Sequence, residues 1–270
     1  ERPVVVATVI EHPDPARIGL HLVLRPHTES GDEVSGTLGS ARADTAVAAD
    51  LRGMLAAGRT GTLGYGPEGQ RGGLGLTLFV ASYTPRPRML IFGAIDFAGA
   101  MARQGRLLGY HVTVCDARPL FVTKARFPEA DELVRDQPGR YLAAEIEAGR
   151  FDDRTVVTVL THDPKFDVPA LLAAFQLPDA VFIGAMGSRR THADRTQRLL
   201  DAGATPEQIA RVHSPIGLDL GARTPEETAV SIAAEIIAAR WGGHGRPLQA
   251  LSGAIHHDPT ADAALAGSGV

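Results

Sequence analysis

Four short segments of the chain carry side chains suited to holding a charged ligand or moving a proton. The first, Gly93-Ala94-Ile95-Asp96, follows an apolar run and occupies the place of a glycine turn that cradles a pyrophosphate. Asp116, after the next apolar run, stands where an acid would hold a ribose hydroxyl. The second glycine of such a turn lets phosphate reach the backbone, and here Ile95 puts a β-branched side chain in that space. Asp96 suits a helix start but repels phosphate. The segment therefore also reads as an ordinary strand–helix turn with Asp96 as its cap. The second segment, Thr161-His162-Asp163-Pro164, offers a histidine–acid pair for proton transfer or a metal, with no further ligand at metal spacing. It also reads as a polar turn, because Asp-Pro starts turns. The third, Gly184-Ala185-Met186-Gly187-Ser188-Arg189-Arg190, joins two glycines, a serine cap and two arginines at a helix start, where free N–H groups and the helix dipole favour an anion. A glycine turn with solvated arginines is its plainer reading. The fourth runs from His213 to Arg223, with Gly217 and Gly221 around an apolar stretch, and reads also as a structural loop.

These candidates need a frame that gathers them. From Arg88 onward, short β-branched runs alternate with helical stretches: strands at Met89–Phe92, Val112–Cys115, Thr155–Leu160 and Ala180–Ile183, and helices at Phe97–Leu108, Pro138–Ala148, Ala170–Phe175 and Ser188–Ala202. Such alternation predicts a parallel sheet with helices on both faces, whose ligands sit outside the carboxyl ends of the strands. Thr205-Pro206-Glu207-Gln208 and Thr224-Pro225-Glu226-Glu227 each predict a capping box, the second opening a helix to about Arg240. Before the boundary at Tyr83–Arg88, where Pro85 and Pro87 favour an extended chain, the pattern differs. Strands are expected at Val4–Ile10, Leu20–Leu24 and Leu76–Val80. A helix is expected over Ala41–Ala57 and stopped by Gly58, and Gly61–Gly75 reads as loop or irregular strand. The expected architecture is α/β: a smaller N-terminal α+β domain over 1–85, a Rossmann-like C-terminal domain over 86–245, and a flexible tail over 246–270. No internal repeat is seen.

Composition narrows the function. The 270 residues carry a net charge of −4, with 44% hydrophobic and 21% charged residues, ordinary for a globular chain. Bulk attraction to nucleic acid or to an anionic membrane is not expected, and 5% aromatic content argues against a base-stacking surface. No apolar run approaches the roughly 18 residues of a membrane span, and the first residues lack the layout of a signal peptide, so a cytoplasmic protein is expected. The single cysteine, Cys115, lies in an apolar strand and reads as a buried thiol. No catalytic residue and no metal site is assigned, and His256-His257 reads as flexible tail.

Several of these runs resemble one family, the XdhC/CoxI proteins. The likeness rests on Leu90-Ile91-Phe92-Gly93-Ala94, on Arg126-Phe127-Pro128-Glu129-Ala130-Asp131-Glu132, on Thr161-His162-Asp163, on Gly184 with Gly187-Ser188-Arg189-Arg190, and on Pro215 to Asp219 with Gly221 to Glu227. The resemblance implies an accessory protein for molybdenum hydroxylases, with a molybdopterin-type molybdenum cofactor as ligand. A molybdenum hydroxylase apo-enzyme and a cysteine desulfurase are the implied partners. On that reading Gly93, Asp116, Thr161, His162, Gly184, Gly187 to Arg190, Gly221 and Arg223 are the candidate cofactor-binding residues. The alternative is an NAD(P)-binding oxidoreductase. The chain departs from the family pattern twice: Arg42 stands where a cysteine is usual, and Ile95-Asp96 replaces Gly-His in the first turn. A homodimer is expected, because each part is small.

Overall fold

The computed structural model describes residues 3–26, 31–161 and 163–252. His162, His256 and His257 lie outside the described residues. The chain forms two compact units that divide between Pro85 and Arg86.

The first unit is an antiparallel sheet with one helix on it. Strands β1 (Val4–Glu11), β2 (His21–Arg25), β3 (Glu33–Gly36), β4 (Gly61–Tyr65) and β5 (Leu76–Tyr83) lie in the order β3-β2-β1-β5-β4. Alternation decides which face is buried: Val5, Ala7 and Val9 of β1 point inward with Leu22, Leu24, Leu76, Leu78 and Val80. Helix α1 (Ala41–Ala57) closes that face with Ala43, Val47, Leu51 and Leu55, and Gly58 ends it in a left-handed turn at φ +63°.

The second unit is a six-stranded parallel sheet. In chain order its elements are β6 (Arg88–Phe92), α2 (Asp96–Leu107), β7 (His111–Cys115), β8 (Glu132–Val134), α3 (Pro138–Glu147), β9 (Val156–Val159), α4 (Pro164–Ala174), β10 (Phe182–Ala185), α5 (Arg189–Asp201), α6 (Pro206–Ala210), β11 (Val212–His213) and α7 (Pro225–Trp241). The spatial order β11-β10-β9-β6-β7-β8 starts in the middle, grows outward one way and then the other. That is the doubly wound Rossmann order, with its reversal between β6 and β9. Two apolar layers sandwich the sheet. One holds Met101, Ile232 and Ile236 of α2 and α7 with Phe127, and the other holds Leu142, Leu171 and Leu199 of α3, α4 and α5. Both expected capping boxes form, at Thr205 with Gln208 and at Thr224 with Glu227.

Three short strands were not expected: β3, β8 and β11. Helix α4 begins at Pro164, well before the expected Ala170: Asp163 caps it, Pro164 takes the first helical position, and Pro169 lies inside it.

Candidate functional site

All six strands of the second sheet are parallel, so their carboxyl ends share one edge. The turns that follow β6, β7, β9, β10 and β11 carry Gly93, Asp116, Thr161, Gly187 with Ser188, and Ser214. This edge is where a doubly wound sheet takes its ligand.

At the reversal between β6 and β9 the turns are packed closed. Gly93 has φ +107°, and a Cβ there would lie 2.7 Å from the Thr161 nitrogen, so only glycine fits. Thr161 is buried, and its Oγ1 accepts the Asp163 N–H at 3.1 Å. Asp163 then caps α4 by accepting the Lys165 N–H.

Asp116 does something other than wait for a ribose. The residue is 2% exposed, and both carboxylate oxygens are engaged. Oδ2 accepts the Ala94 N–H at 2.8 Å and Arg118 Nη2 at 2.8 Å. Oδ1 accepts the Arg118 N–H and Nε, both at 2.9 Å. Burial pushes its pKa up, but the Arg118 guanidinium and the two backbone donors outweigh burial and hold it below the usual carboxylate range. The first crossing therefore binds the chain's own carboxylate at a backbone donor that a nucleotide phosphate would use. Asp96 is not the cap expected of it. The cap position is Ile95, with no side-chain bond, and Asp96 is the first helical residue, paired to Arg126 at 3.5 Å. The Ile95 side chain packs against the apolar layer under α2.

The crossing from β10 to α5 is built differently. Gly187 has φ +152°, and a Cβ there would lie 2.9 Å from Thr191, so the turn requires glycine on both counts. Ser188 caps α5, its Oγ accepting the Thr191 N–H at 3.1 Å. Among the described residues, the N–H groups of Gly187, Ser188, Arg189 and Arg190 meet no acceptor. Arg189 and Arg190 are exposed, with no acid in the first turn and no ion-pair partner among the described residues. Gly184 has a packing job: it lies within β10, and a Cβ would collide with Ile216 at 2.2 Å. Gly221 and Arg223 lie exposed in the turn before α7, where the Arg223 N–H donates to Glu227 Oε2 at 2.7 Å.

The sequence reading missed the group that holds this crossing in place. Arg195 on the inner face of α5 is 3% exposed. It pairs with buried Asp167 of α4 at 3.0 Å and donates to the Met186 carbonyl at 2.7 Å and to Ser214 Oγ at 3.1 Å. One guanidinium thus ties α4 to the turns after β10 and β11. A signal existed: Arg195 lies four residues before Leu199, on the stripe of α5 that must face the core.

Cys115, at the end of β7, is fully buried, and burial pushes its thiol up to about 12. Arg42 stands exposed in the first turn of α1. Among the described residues no cluster of His, Cys, Asp or Glu could hold a metal ion, and no helix is long and apolar enough to cross a membrane. A cavity of about 460 Å³ opens at the opposite, amino edge of the sheet, with Arg154, Phe182, Arg211 and His213 in its wall. Its Arg211 already donates to the carbonyls of Phe175, Leu177 and Pro178 and pairs with Asp179, and its Arg154 pairs with Asp152.

Fold and site thus define an α/β protein whose Rossmann-type unit has its first crossing filled by the chain's own Asp116 and a later crossing whose helix-start N–H groups meet no acceptor among the described residues. Comparison with known proteins gives the family. Residues 89–236 match the XdhC Rossmann domain, and residues 1–66 match the XdhC and CoxI family. The chain belongs to the XdhC and CoxI family. It is 34% identical over 163 residues to a probable xanthine dehydrogenase component of Bacillus subtilis, covering 60% of this chain and 46% of that protein. It is 28% identical over 174 residues to the molybdenum cofactor insertion chaperone PaoD of Escherichia coli, covering 64% of this chain and 46% of that protein. The chain spans less than half the length of these curated relatives. A crystal structure described as a xanthine dehydrogenase from Bacillus halodurans shares the fold, with a TM-score of 0.50 at 19% identity, covering 97% of this chain and 96% of that one.

Proposed function

We propose that the chain is a maturation factor for molybdenum hydroxylases, which holds molybdenum cofactor and assists its sulfuration or its insertion into the apo-enzyme. The observation that carries this reading is the α5 start: four consecutive N–H groups without an acceptor among the described residues, beside two arginines with no acid. The donor set fits the phosphate of a molybdopterin, because backbone N–H groups at a helix start and guanidinium forks both suit a phosphate. Arg189, Arg190 and Ser188 would hold that phosphate, with Arg223 on the same edge of the sheet. The molybdenum centre does its chemistry in the client enzyme, and here the cofactor is cargo.

Sulfur handling on this reading belongs to a partner desulfurase. Arg42 provides no thiol, and Cys115 is buried and protonated at neutral pH. The client apo-enzyme takes the loaded cofactor. The oxidoreductase alternative requires a dinucleotide at the first crossing, where Ala94 and Asp116 already satisfy each other.

The test is a calorimetric titration of the full chain with inorganic pyrophosphate and with isolated molybdenum cofactor. Arg189→Ala with Arg190→Ala is expected to weaken both at least about tenfold, the loss of two charge-assisted contacts, with unchanged circular dichroism. Equal affinity in the variant and the parent would remove this site from the reading.

A further inference from the structure

The amino edge of the second sheet holds a cavity of about 460 Å³, opposite the edge that carries the α5 turn. That volume lies in the range of small-molecule pockets, about 300–1,000 Å³. Its inner wall is apolar, with Val156, Val181 and Ile236 all buried. Phe182 at the start of β10 stacks on His213 of β11, ring centroids 4.3 Å apart and planes at 22°, which makes a flat platform. The mouth carries Ala180, Ala210 and Ala239, all exposed, and side chains this small leave it open. Two polar groups on the wall have no partner. Tyr110, just before β7, is 4% exposed, and its hydroxyl meets no hydrogen-bond partner among the described residues. A buried tyrosine hydroxyl usually has one. The second group is His213. Glu235 of α7 accepts from His213 Nδ1 at 2.9 Å and from the Gly217 N–H at 2.5 Å. A carboxylate accepting on both oxygens puts the imidazole proton on Nδ1. Nε2 is then an acceptor, and it too meets no partner among the described residues.

We propose that this cavity is a second binding site, for an uncharged heteroaromatic base of nucleoside size. The arginines of its wall do not select an anion. Arg211 donates to three backbone carbonyls and pairs with Asp179, Arg154 pairs with Asp152, and Arg240 lies over the Trp241 ring. Exposed Asp153 and Asp179 on the rim repel an anion further. A hydrocarbon ligand would suit the apolar wall but would shut the Tyr110 hydroxyl and His213 Nε2 away from water with nothing to bond. A nucleobase answers both. It carries a ring N–H or amino group for Nε2 and a carbonyl or ring nitrogen for the tyrosine hydroxyl, on a flat body that suits a wall of aromatic and aliphatic side chains. Its sugar, polar and well hydrated, belongs at the alanine mouth. This inference does not rest on what binds at α5, because the two sites lie at opposite edges of the sheet.

Saturation-transfer NMR of the full chain with adenosine, inosine and uridine at millimolar concentration is the test. Transfer is expected to the base protons ahead of the sugar protons, and it should persist in high salt, since no ion pair carries the binding. Ala239→Trp, at an exposed position on the last turn of α7, should close the mouth and abolish transfer with unchanged circular dichroism. Tyr110→Phe should weaken binding by about three- to tenfold, the worth of one neutral hydrogen bond. It should leave stability unchanged, because the hydroxyl has no partner to lose. Benzyl alcohol, an aromatic ring without the ring donor and acceptor, should bind more weakly than the nucleosides. Transfer to none of the three nucleosides, transfer indifferent to both substitutions, or benzyl alcohol binding equally well would overturn the proposal.

Discussion

At the β6–α2 crossing the helix opens with Asp96, and a buried carboxylate from the neighbouring strand sits on the turn's own backbone donor. At the β10–α5 crossing the helix opens with Ser188, Arg189 and Arg190, and its first N–H groups meet no acceptor among the described residues. The two crossings lie on the same edge of one sheet, so backbone geometry alone does not separate them. Side-chain charge does. A helix start is weakly positive, which makes Asp96 favourable and two arginines unfavourable by about 0.3–1 kcal/mol each. The first crossing is arranged for its own stability. The later one retains a cost that a bound anion would offset. A glycine turn in a Rossmann-type fold therefore does not by itself leave its backbone donors free, because a neighbouring side chain can occupy them.

The contrast can be broken or sharpened by mutation, and the largest effect belongs to the support beneath the later crossing. Arg195→Met leaves Asp167 buried without its cation and should cost about 3–5 kcal/mol in urea unfolding. Replacing both members, Arg195→Met with Asp167→Leu, should recover much of that loss. Recovery of stability without recovery of pyrophosphate binding would show the pair positioning the α5 turn.

Asp116→Asn at the first crossing should cost about 1–3 kcal/mol, through the weakening of several bonds to a buried carboxylate. Its pH dependence has a definite sign. The folded pKa is depressed, so the carboxylate's contribution is present above the unfolded value near ~3.9 and is lost as pH falls through the lower folded value. Parent and variant should therefore converge in stability only in strong acid. Convergence already near neutral pH would contradict the bonding described for Asp116.

Removing the two arginines with Arg189→Ala and Arg190→Ala should leave stability equal or raise it by up to about 1–2 kcal/mol, by the helix-dipole argument. A clear loss of stability would mean that they serve the fold. The smallest expected effect is none at all. Native Cys115 should resist iodoacetamide at pH 8, because burial lifts its pKa to about 12, and should react fully once the chain is unfolded.

Much of the fold was legible because its signals are local. Ala43, Val47, Leu51 and Leu55 at helical spacing, closed by Gly58, define α1 to the residue. The Thr-Pro-Glu-Gln and Thr-Pro-Glu-Glu runs carry their own capping geometry. Strands β3, β8 and β11 escaped notice because they are two to four residues long and owe their existence to a neighbour's free edge. The helix expected from Ala170 begins earlier and takes in Pro169, where Gly139 of α3 gives it room: a Cβ on Gly139 would come within 2.8 Å of it. At the site, Gly187, Ser188, Arg189 and Arg190 were legible as a glycine turn opening a serine-capped helix that carries two arginines. Arg195 and Asp167 were not, because an ion pair 28 residues apart is formed only when two helices pack.

The sequence by itself determined the alternation of strands and helices, the helix caps, and the glycine turn with its serine-capped, arginine-bearing helix start, because each depends on side chains within a turn or two of one another. Tertiary structure alone decided that Asp116 closes the first turn and that Arg195 supports the later one. These outcomes depend on which groups lie side by side across the sheet, and strand order is what sets that.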